Sequence, residues 1–383
     1  MEKVTELPEF LPASELQSLL DVLMNAGYQT VGPTVDQGAI VYDEIDSVDK
    51  LPRGWTDRQE AGKYRLEQRD DDAYFGYVVG PHSWKQFLFP PLATVATAER
   101  HDTGWHMRTP DDDPPRYAFL GVRACEIAAM RVQDRVFTGG SYIDPIYKKR
   151  RDAAFIVAVN CTQAASTCFC TSMNTGPRCE SGFDLALTEI ADGFIMEVGS
   201  DAGGEILKKL PTISSTRERL HQAESARQQA LEQITKTLDT EGLRDLLLDN
   251  LDHPQWDDLA TRCLSCTNCT MVCPTCFCST VTEVSDLTRD HVERRREWDS
   301  CFNIDFSYMN GGVVRNGVRS RYRQWLTHKL ASWEDQFGSS GCVGCGRCIT
   351  WCPVEIDLTQ EVAVIRRSTI NANPPNTNSG AAQ

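Results

Sequence analysis

Leu16, Leu19, Leu20 and Leu23 fall at i, i+3, i+4 and i+7 within residues 13–26. That spacing predicts a short amphipathic helix, and Gly27 can end it. From about 30 to 80 the pattern changes to short apolar runs cut by Gly and Asp. GAIVYDEI (38–45), KYRLEQ (63–68) and AYFGYVV (73–79) read as strands. HDTGWHMRTPDDDPP (101–115) has no period and reads as a surface loop. YAFLGV (117–122) reads as a buried strand. CEIAAMRVQDRVF (125–137) carries Ile127, Met130, Val132 and Phe137 at helical intervals, and AAFIVAV (153–159) is a second buried strand after a turn-rich loop. Strand, helix, strand at this length is a βαβ unit with a parallel sheet. DLALTEI and GFIMEVG (184–199) add two more strands. Residues 214–239 are polar, with Leu220, Leu231, Ile234 and Leu238 on helical spacing, and Ser215 and Glu218 match a capping box.

From about 245 cysteine, tryptophan and arginine become frequent. VTEVSDLTRDHVERRREW (281–298) and SRYRQWLTHKLASWEDQF (320–337) read as helices. The expected architecture is an α/β or α+β domain over 1–210, a connecting helix over 211–245, an all-α, helical ferredoxin-like domain over 246–365, and a disordered tail over 366–383.

Composition narrows the function. Hydrophobic residues are 41% and charged residues 24% of the 383, which is ordinary for a globular chain with a core. The formal net charge of −15 opposes nucleic-acid or anionic-membrane binding. KKRR at 148–151, RRR at 294–296 and the arginines 315, 319, 321 and 323 do not reverse this. They read as solvated faces, partner docking or charge balance. No apolar run reaches the 18 residues of a membrane span, and the amino terminus lacks the apolar core of a signal peptide. The expected compartment is the cytoplasm, where thiols stay reduced. Sixteen cysteines in such a chain point to metal or redox chemistry instead of disulfides.

The motif C-x2-C-x2-C-x3-C-P occurs twice, as Cys263, Cys266, Cys269, Cys273, Pro274 and as Cys342, Cys345, Cys348, Cys352, Pro353. Three thiolates at these gaps wrap one face of a 4Fe–4S cube, and the fourth ligates the other cluster. One cluster is therefore expected on Cys263, Cys266, Cys269 and Cys352, and a second on Cys342, Cys345, Cys348 and Cys273. Zinc ribbons use two cysteine pairs, so the doubled motif favours iron over zinc. Two clusters sharing a domain pass single electrons, so the pair reads as a wire.

Eight cysteines lie outside the motif. Cys125 follows the first strand of the βαβ unit and Cys161 the second, so both emerge at the carboxyl edge of the sheet, where ligands bind. Cys168 and Cys170 follow in CFCTSMNTGP. By spacing alone these four are either a third cluster site or free thiols. Cys179 reads as incidental. Cys276, Cys278 and Cys301 read as buried thiols, with tuning of a nearby cluster as the alternative. No G-x-G-x-x-G follows a strand and no Walker A occurs, so neither flavin nor nucleotide is expected on this chain. The seven histidines are scattered. No catalytic residue is expected.

Several long segments occur in one order: GVRACEIAAMRVQDRVF, VNC, TCFCTSMNTGP, GFDLALTE, SCFNIDFSY, RYRQWLTHKL and GCVGCGRCITWCP. Together, over about 75–365, they resemble the beta subunit of cytoplasmic NADP-linked NiFe hydrogenases, also called sulfhydrogenases. The corresponding iron–sulfur subunit of anaerobic sulfite reductases is related and shares the layout. The resemblance implies an electron-transfer subunit of a heterotetrameric oxidoreductase. Its partners would be a flavin subunit that handles NADP(H) and the small and large hydrogenase subunits. It also favours the third cluster, because Cys125, Cys161, Cys168 and Cys170 all fall in shared segments. Ala124 and Glu126 depart from the family's Pro and Asp beside Cys125. The alternatives are the sulfite reductase subunit, or a chain that itself reduces polysulfide at the third cluster or at Cys276, Cys278 and Cys301.

Overall fold

The computed structural model describes residues 7–109, 113–288 and 290–372. An eight-stranded mixed sheet organises the first half of the chain. Its order is Ile213–Ser214, Glu9–Pro12, Gly193–Val198, Leu185–Ile190, Phe155–Val159, Tyr117–Val122, Gln29–Asp36 and Ala39–Glu44. The four strands from Leu185–Ile190 to Gln29–Asp36 run parallel, and the outer strands are antiparallel.

Alternate residues of the central strands enter different cores. Leu120, Phe155, Val157, Leu185 and Leu187 pack with Leu16, Leu19, Leu20 and Leu23 of the helix Leu16–Asn25. Phe119, Ile156, Ala158 and Ala186 pack with Ile127 and Met130 of the helix Ala124–Phe137, and with Trp84 and Tyr147. Both faces are covered, so the strands read as unbroken apolar runs without alternation.

The loop read after the first βαβ helix contains another helix, Pro145–Ala153. The Asp144 carboxylate accepts from Tyr147 N at 2.9 Å, and Pro145 takes the first helical position. The polar helix is Arg217–Gln233, and its cap is Thr216, whose hydroxyl accepts from Arg219 N; Ser215 is one residue too early. AYFGYVV forms no strand. It is a buried irregular segment whose amides find side chains: Tyr74 N and Phe75 N donate to the Glu189 carboxylate at 2.6 and 2.8 Å, and Val78 N to Asp57 at 2.6 Å. Buried amides need partners, and these carboxylates replace a strand ladder.

A second sheet corrects two expectations. Ser279–Ser285, His291–Trp298, Leu92–His101 and Gly104–Arg108 form four antiparallel strands in that order. The stretch 281–298, expected helical, is therefore a hairpin, and part of 101–115, expected to be a loop, is its outermost strand. The later region is not all-α. Val281, Thr282 and Val284 favour strand. The deciding partner, Leu92–His101, lies far away in sequence, where no local period reveals it.

The remaining later elements are mostly helical. Leu243–Asp249, Gln255–Arg262, Val318–Thr327 and Leu358–Ala372 bury Leu247, Trp256, Trp325, Leu326 and Ile365 in one core. The last helix runs into the segment read as a tail, and residues 373–383 lie outside the described residues. Among the described residues no helix is long and apolar enough to cross a membrane.

The two cysteine-bearing parts meet through a buried ion pair. Glu126 and Arg347 have side chains 1% and 0% exposed, with Arg347 Nη2 2.5 Å from Glu126 Oε1. Glu126 also accepts from Tyr42 Oη at 3.0 Å, Trp84 Nε1 at 2.9 Å and Arg123 N at 3.1 Å. Arg347 also donates to Gly80 O at 2.9 Å and His82 O at 3.0 Å. Removing one partner strands the other charge. Arg347→Met is expected to lower stability by about 3–5 kcal/mol in urea unfolding, and adding Glu126→Leu to recover much of that loss. A double variant no more stable than Arg347→Met would contradict this.

Candidate iron–sulfur centres

The two copies of the cysteine motif share one backbone path. Ser265 and Thr267 have φ of 52° and 69°, and their counterparts Gly344 and Gly346 have 65° and 77°. In each loop an amide two residues on points back at the first sulfur: Ser265 N to Cys263 Sγ at 3.4 Å and Gly344 N to Cys342 Sγ at 3.5 Å. A short helix then follows in each, Asn268–Met271 and Arg347–Thr350.

Around the first loop lies a small cavity lined by Cys263, Cys266, Cys269 and Cys352, the four residues expected to share a cluster. Cys348 of the second loop also lines it, and Tyr322, Trp325 and Phe302 close it. The Trp325 indole N–H is buried without a hydrogen-bond partner among the described residues. A donor aimed at nothing beside four thiols suits a group with sulfide acceptors. Ile356 N approaches Cys352 Sγ at 3.4 Å. Cys266 is exposed, as is Leu264 at 63%, so this cavity lies nearest the surface.

The second set is Cys342, Cys345, Cys348 and Cys273. Burial pushes the Cys342 thiol up to about 12, and it pushes Cys348 well above the usual range, with Cys342, Cys345 and Cys273 adding to the effect. Cys273 goes the other way. A hydrogen bond from the Cys276 thiol, then the Lys329 ammonium and Thr275, hold it well below the ordinary thiol range. Lys329 Nζ lies 3.2 Å from Cys273 Sγ.

Cys125, Cys161, Cys168 and Cys170, the third set, line a small apolar cavity, together with Cys345 of the second set. Val78, Val79 and Ile234 complete much of its wall. Burial pushes Cys168 up to about 12. Thiols in such a wall become thiolates only when a cation takes the place of the proton. Arg123, a buried side chain, also lines the cavity, where its positive charge partly offsets the upward push of burial on the Cys161 thiol. No three His, Cys, Asp or Glu side chains among the described residues are gathered as a single metal ion would need. The thiols instead stand around the cavity walls.

The second and third sets touch through glycine. A Cβ on Gly344 would lie 2.6 Å from Phe169 O and 2.7 Å from Cys170 Cα; one on Gly346 would lie 2.5 Å from Thr167 O. Phe169 N donates to Gly344 O at 2.9 Å, and Thr175 Oγ1 to Val343 O at 2.6 Å. Positive φ and close backbone approach both require glycine here.

Residues 262–356 match the family model described as a 4Fe-4S dicluster domain. The chain carries a 4Fe–4S dicluster domain. Over 342 residues it is 28% identical to the Sulfhydrogenase 2 subunit beta of Pyrococcus furiosus, an alignment covering 88% of this chain and 92% of that protein. No solved structure matches it significantly.

The remaining cysteines separate. Cys179 stays out of the third cavity; it is buried, with its amide on Asn160 Oδ1 at 2.8 Å. Cys276 touches Cys273. The Cys278 thiol is hydrogen-bonded to Cys301, which lowers it to about 7. Sequence reasoning missed Arg123, Arg347 and Lys329. Arg123 stands in an otherwise apolar stretch and Arg347 in a cysteine-rich one, and that was their one visible signal; Lys329, among the other basic residues of RYRQWLTHKL, had none. Gly344→Ala should destabilise by about 1–3 kcal/mol from backbone conformation alone, with the overlap adding to it. Gly204→Ala in the helix Asp201–Leu207, where a Cβ meets nothing closer than 3.8 Å, should be neutral or stabilising. Thermal unfolding of both variants checks this, and equal effects would refute the close-packing argument.

Proposed function

We propose that the chain is the electron-transfer subunit of a cytoplasmic NiFe hydrogenase of the sulfhydrogenase type. It holds three 4Fe–4S clusters: one on Cys263, Cys266, Cys269 and Cys352, one on Cys342, Cys345, Cys348 and Cys273, and one on Cys125, Cys161, Cys168 and Cys170. The observation that carries the reading is the sharing of walls. Cys348 lines the first cavity and Cys345 the third, so the second set stands between the other two. Three sites in a row with the middle one flanked on both sides are what a one-electron relay needs.

Bound 4Fe–4S clusters would supply the electron carriers. The chain's own residues hold them at fixed spacing, exclude water and place charge. Trp325, Tyr322 and Phe302 cover the outer site, and Val78, Val79 and Ile234 the inner one. Arg123 and Arg347 set positive charge beside the third set. The relay would join a flavin subunit that handles NADP(H) to the small subunit of the hydrogenase, beside the large subunit. The name of the Pyrococcus relative supports the hydrogenase reading over the sulfite reductase one. The division into 1–210, 211–245 and 246–365 is kept as a working description. The shared four-stranded sheet ties the first and last of these together.

Anaerobically prepared chain should hold about 12 irons, and Cys125→Ser should lower this towards about 8. A wild-type value of about 8 would remove the third cluster. In the complex, Cys266→Ser should stop electron flow from NADPH to hydrogen evolution while dye-linked hydrogen turnover continues. Unchanged NADPH-linked rates would refute the relay.

A further inference from the structure

Lys329 is 2% exposed, and its ammonium is turned inward. It donates to Cys273 Sγ at 3.2 Å, Thr275 Oγ1 at 3.1 Å and Gly341 O at 3.2 Å, which uses all three of its hydrogens. The local fold is built for this. Residues His328–Ser332 form a π-type segment between the helices Val318–Thr327 and Trp333–Phe337. Such wide turns inside helices recur at functional sites. Gly341 lets the chain pass close by: a Cβ there would lie 2.4 Å from the Trp333 ring and 3.0 Å from Lys329 O. A second buried lysine, Lys85, sits 3.9 Å above the Trp298 ring and donates to Cys276 O at 3.1 Å.

The outer site has nothing comparable. Among the described residues, the groups that face its sulfurs as donors are neutral: the backbone amides Ser265 N and Ile356 N, with the Ser265 hydroxyl beside Cys263. The nearby Arg321 reaches Ser265 Oγ at 3.4 Å, not a sulfur. A cation hydrogen-bonded to a ligating thiolate favours the more negative, reduced cluster.

We propose that Lys329 sets the reduction potential of the middle centre, on Cys342, Cys345, Cys348 and Cys273, and makes it easier to reduce than the outer centre at Cys266. This rests on the ligand assignment proposed above. One electron then passes from the outer centre to the middle one. The outer centre is oxidised by one electron and the middle centre reduced by one, with no bond made and no proton moved. Lys329 is a positioning residue here: it acts through the Cys273 sulfur.

The test is an EPR-monitored redox titration of the full chain, prepared anaerobically, with iron counted in the same samples. Lys329→Met should shift the equilibrium of one centre at least tenfold towards oxidation, about 59 mV for one electron. The other centres should stay in place. Lys329→Arg should keep most of the wild-type value. Lys329→Gln, which keeps an N–H donor without the charge, should move the same centre in the same direction by less, and it supplies the test should Lys329→Met lose iron. Full iron with unmoved potentials in Lys329→Met, or in Lys329→Gln where Lys329→Met loses iron, would overturn the role of Lys329 alone. An equal shift in Lys329→Arg would assign the effect to packing and overturn it too. Wild-type chain lacking the iron of two clusters would overturn the assignment beneath it and this proposal together.

Discussion

Glu126 and Arg347 carry opposite charges into the buried interior, where each is paired with the other and held by further hydrogen bonds. Glu126 follows Cys125 and reaches back to Arg123 N, so it also fixes the start of the crossover helix. Arg347 stands between Cys345 and Cys348. One ion pair therefore ties the helix that bears Cys125 to the loop that bears Cys342, Cys345 and Cys348. A buried pair of this kind contributes little net stability compared with an apolar contact, but breaking it is costly, so it specifies one docking geometry. The glycines at 344 and 346 bring the same loop into backbone contact with Thr167, Phe169 and Cys170.

That docking gives the thiols their arrangement. The doubled motif supplies two loops with the same left-handed turns, and in the proposed assignment Cys273 and Cys352 would cross between them to make two sites. The carboxyl edge of the parallel sheet supplies Cys125 and Cys161, and the loop after it Cys168 and Cys170. Close approach then leaves Cys345 in the wall of the inner cavity and Cys348 in the wall of the outer one. The surroundings grade from an exposed corner at Cys266 to an apolar, arginine-lined interior. Solvent exposure, charge and hydrogen bonds to sulfur are the levers that set cluster potentials, and all three change along this row.

Much of this was legible in the sequence, and the reasons are physical. The βαβ unit was readable because strands buried on both faces are continuous apolar runs, and Leu16, Leu19, Leu20 and Leu23 because a helix facing a core has a strict period. The doubled cysteine motif was readable because a cube fixes the gaps between its ligands. The hairpin 279–298 was not, because its arginines and glutamates suit a helix locally and its strand partner at 92–101 is remote in sequence. AYFGYVV was read as a strand on local composition, whereas Glu189 and Asp57 satisfy its amides from elsewhere in the fold. The inward lysine was hidden for the same reason: in RYRQWLTHKL nothing distinguishes Lys329 from a solvated basic residue until the π-type turn is seen.

The central claim is a row of three iron centres with the Cys342–Cys348 loop in the middle. Anomalous diffraction at the iron edge, from anaerobically grown crystals of the full chain, tests it most directly. The account predicts three iron peaks, the middle one bounded by Cys342, Cys345, Cys348 and Cys273 and the inner one by Cys125, Cys161, Cys168 and Cys170. Two peaks, or a third peak away from those four cysteines, would contradict it.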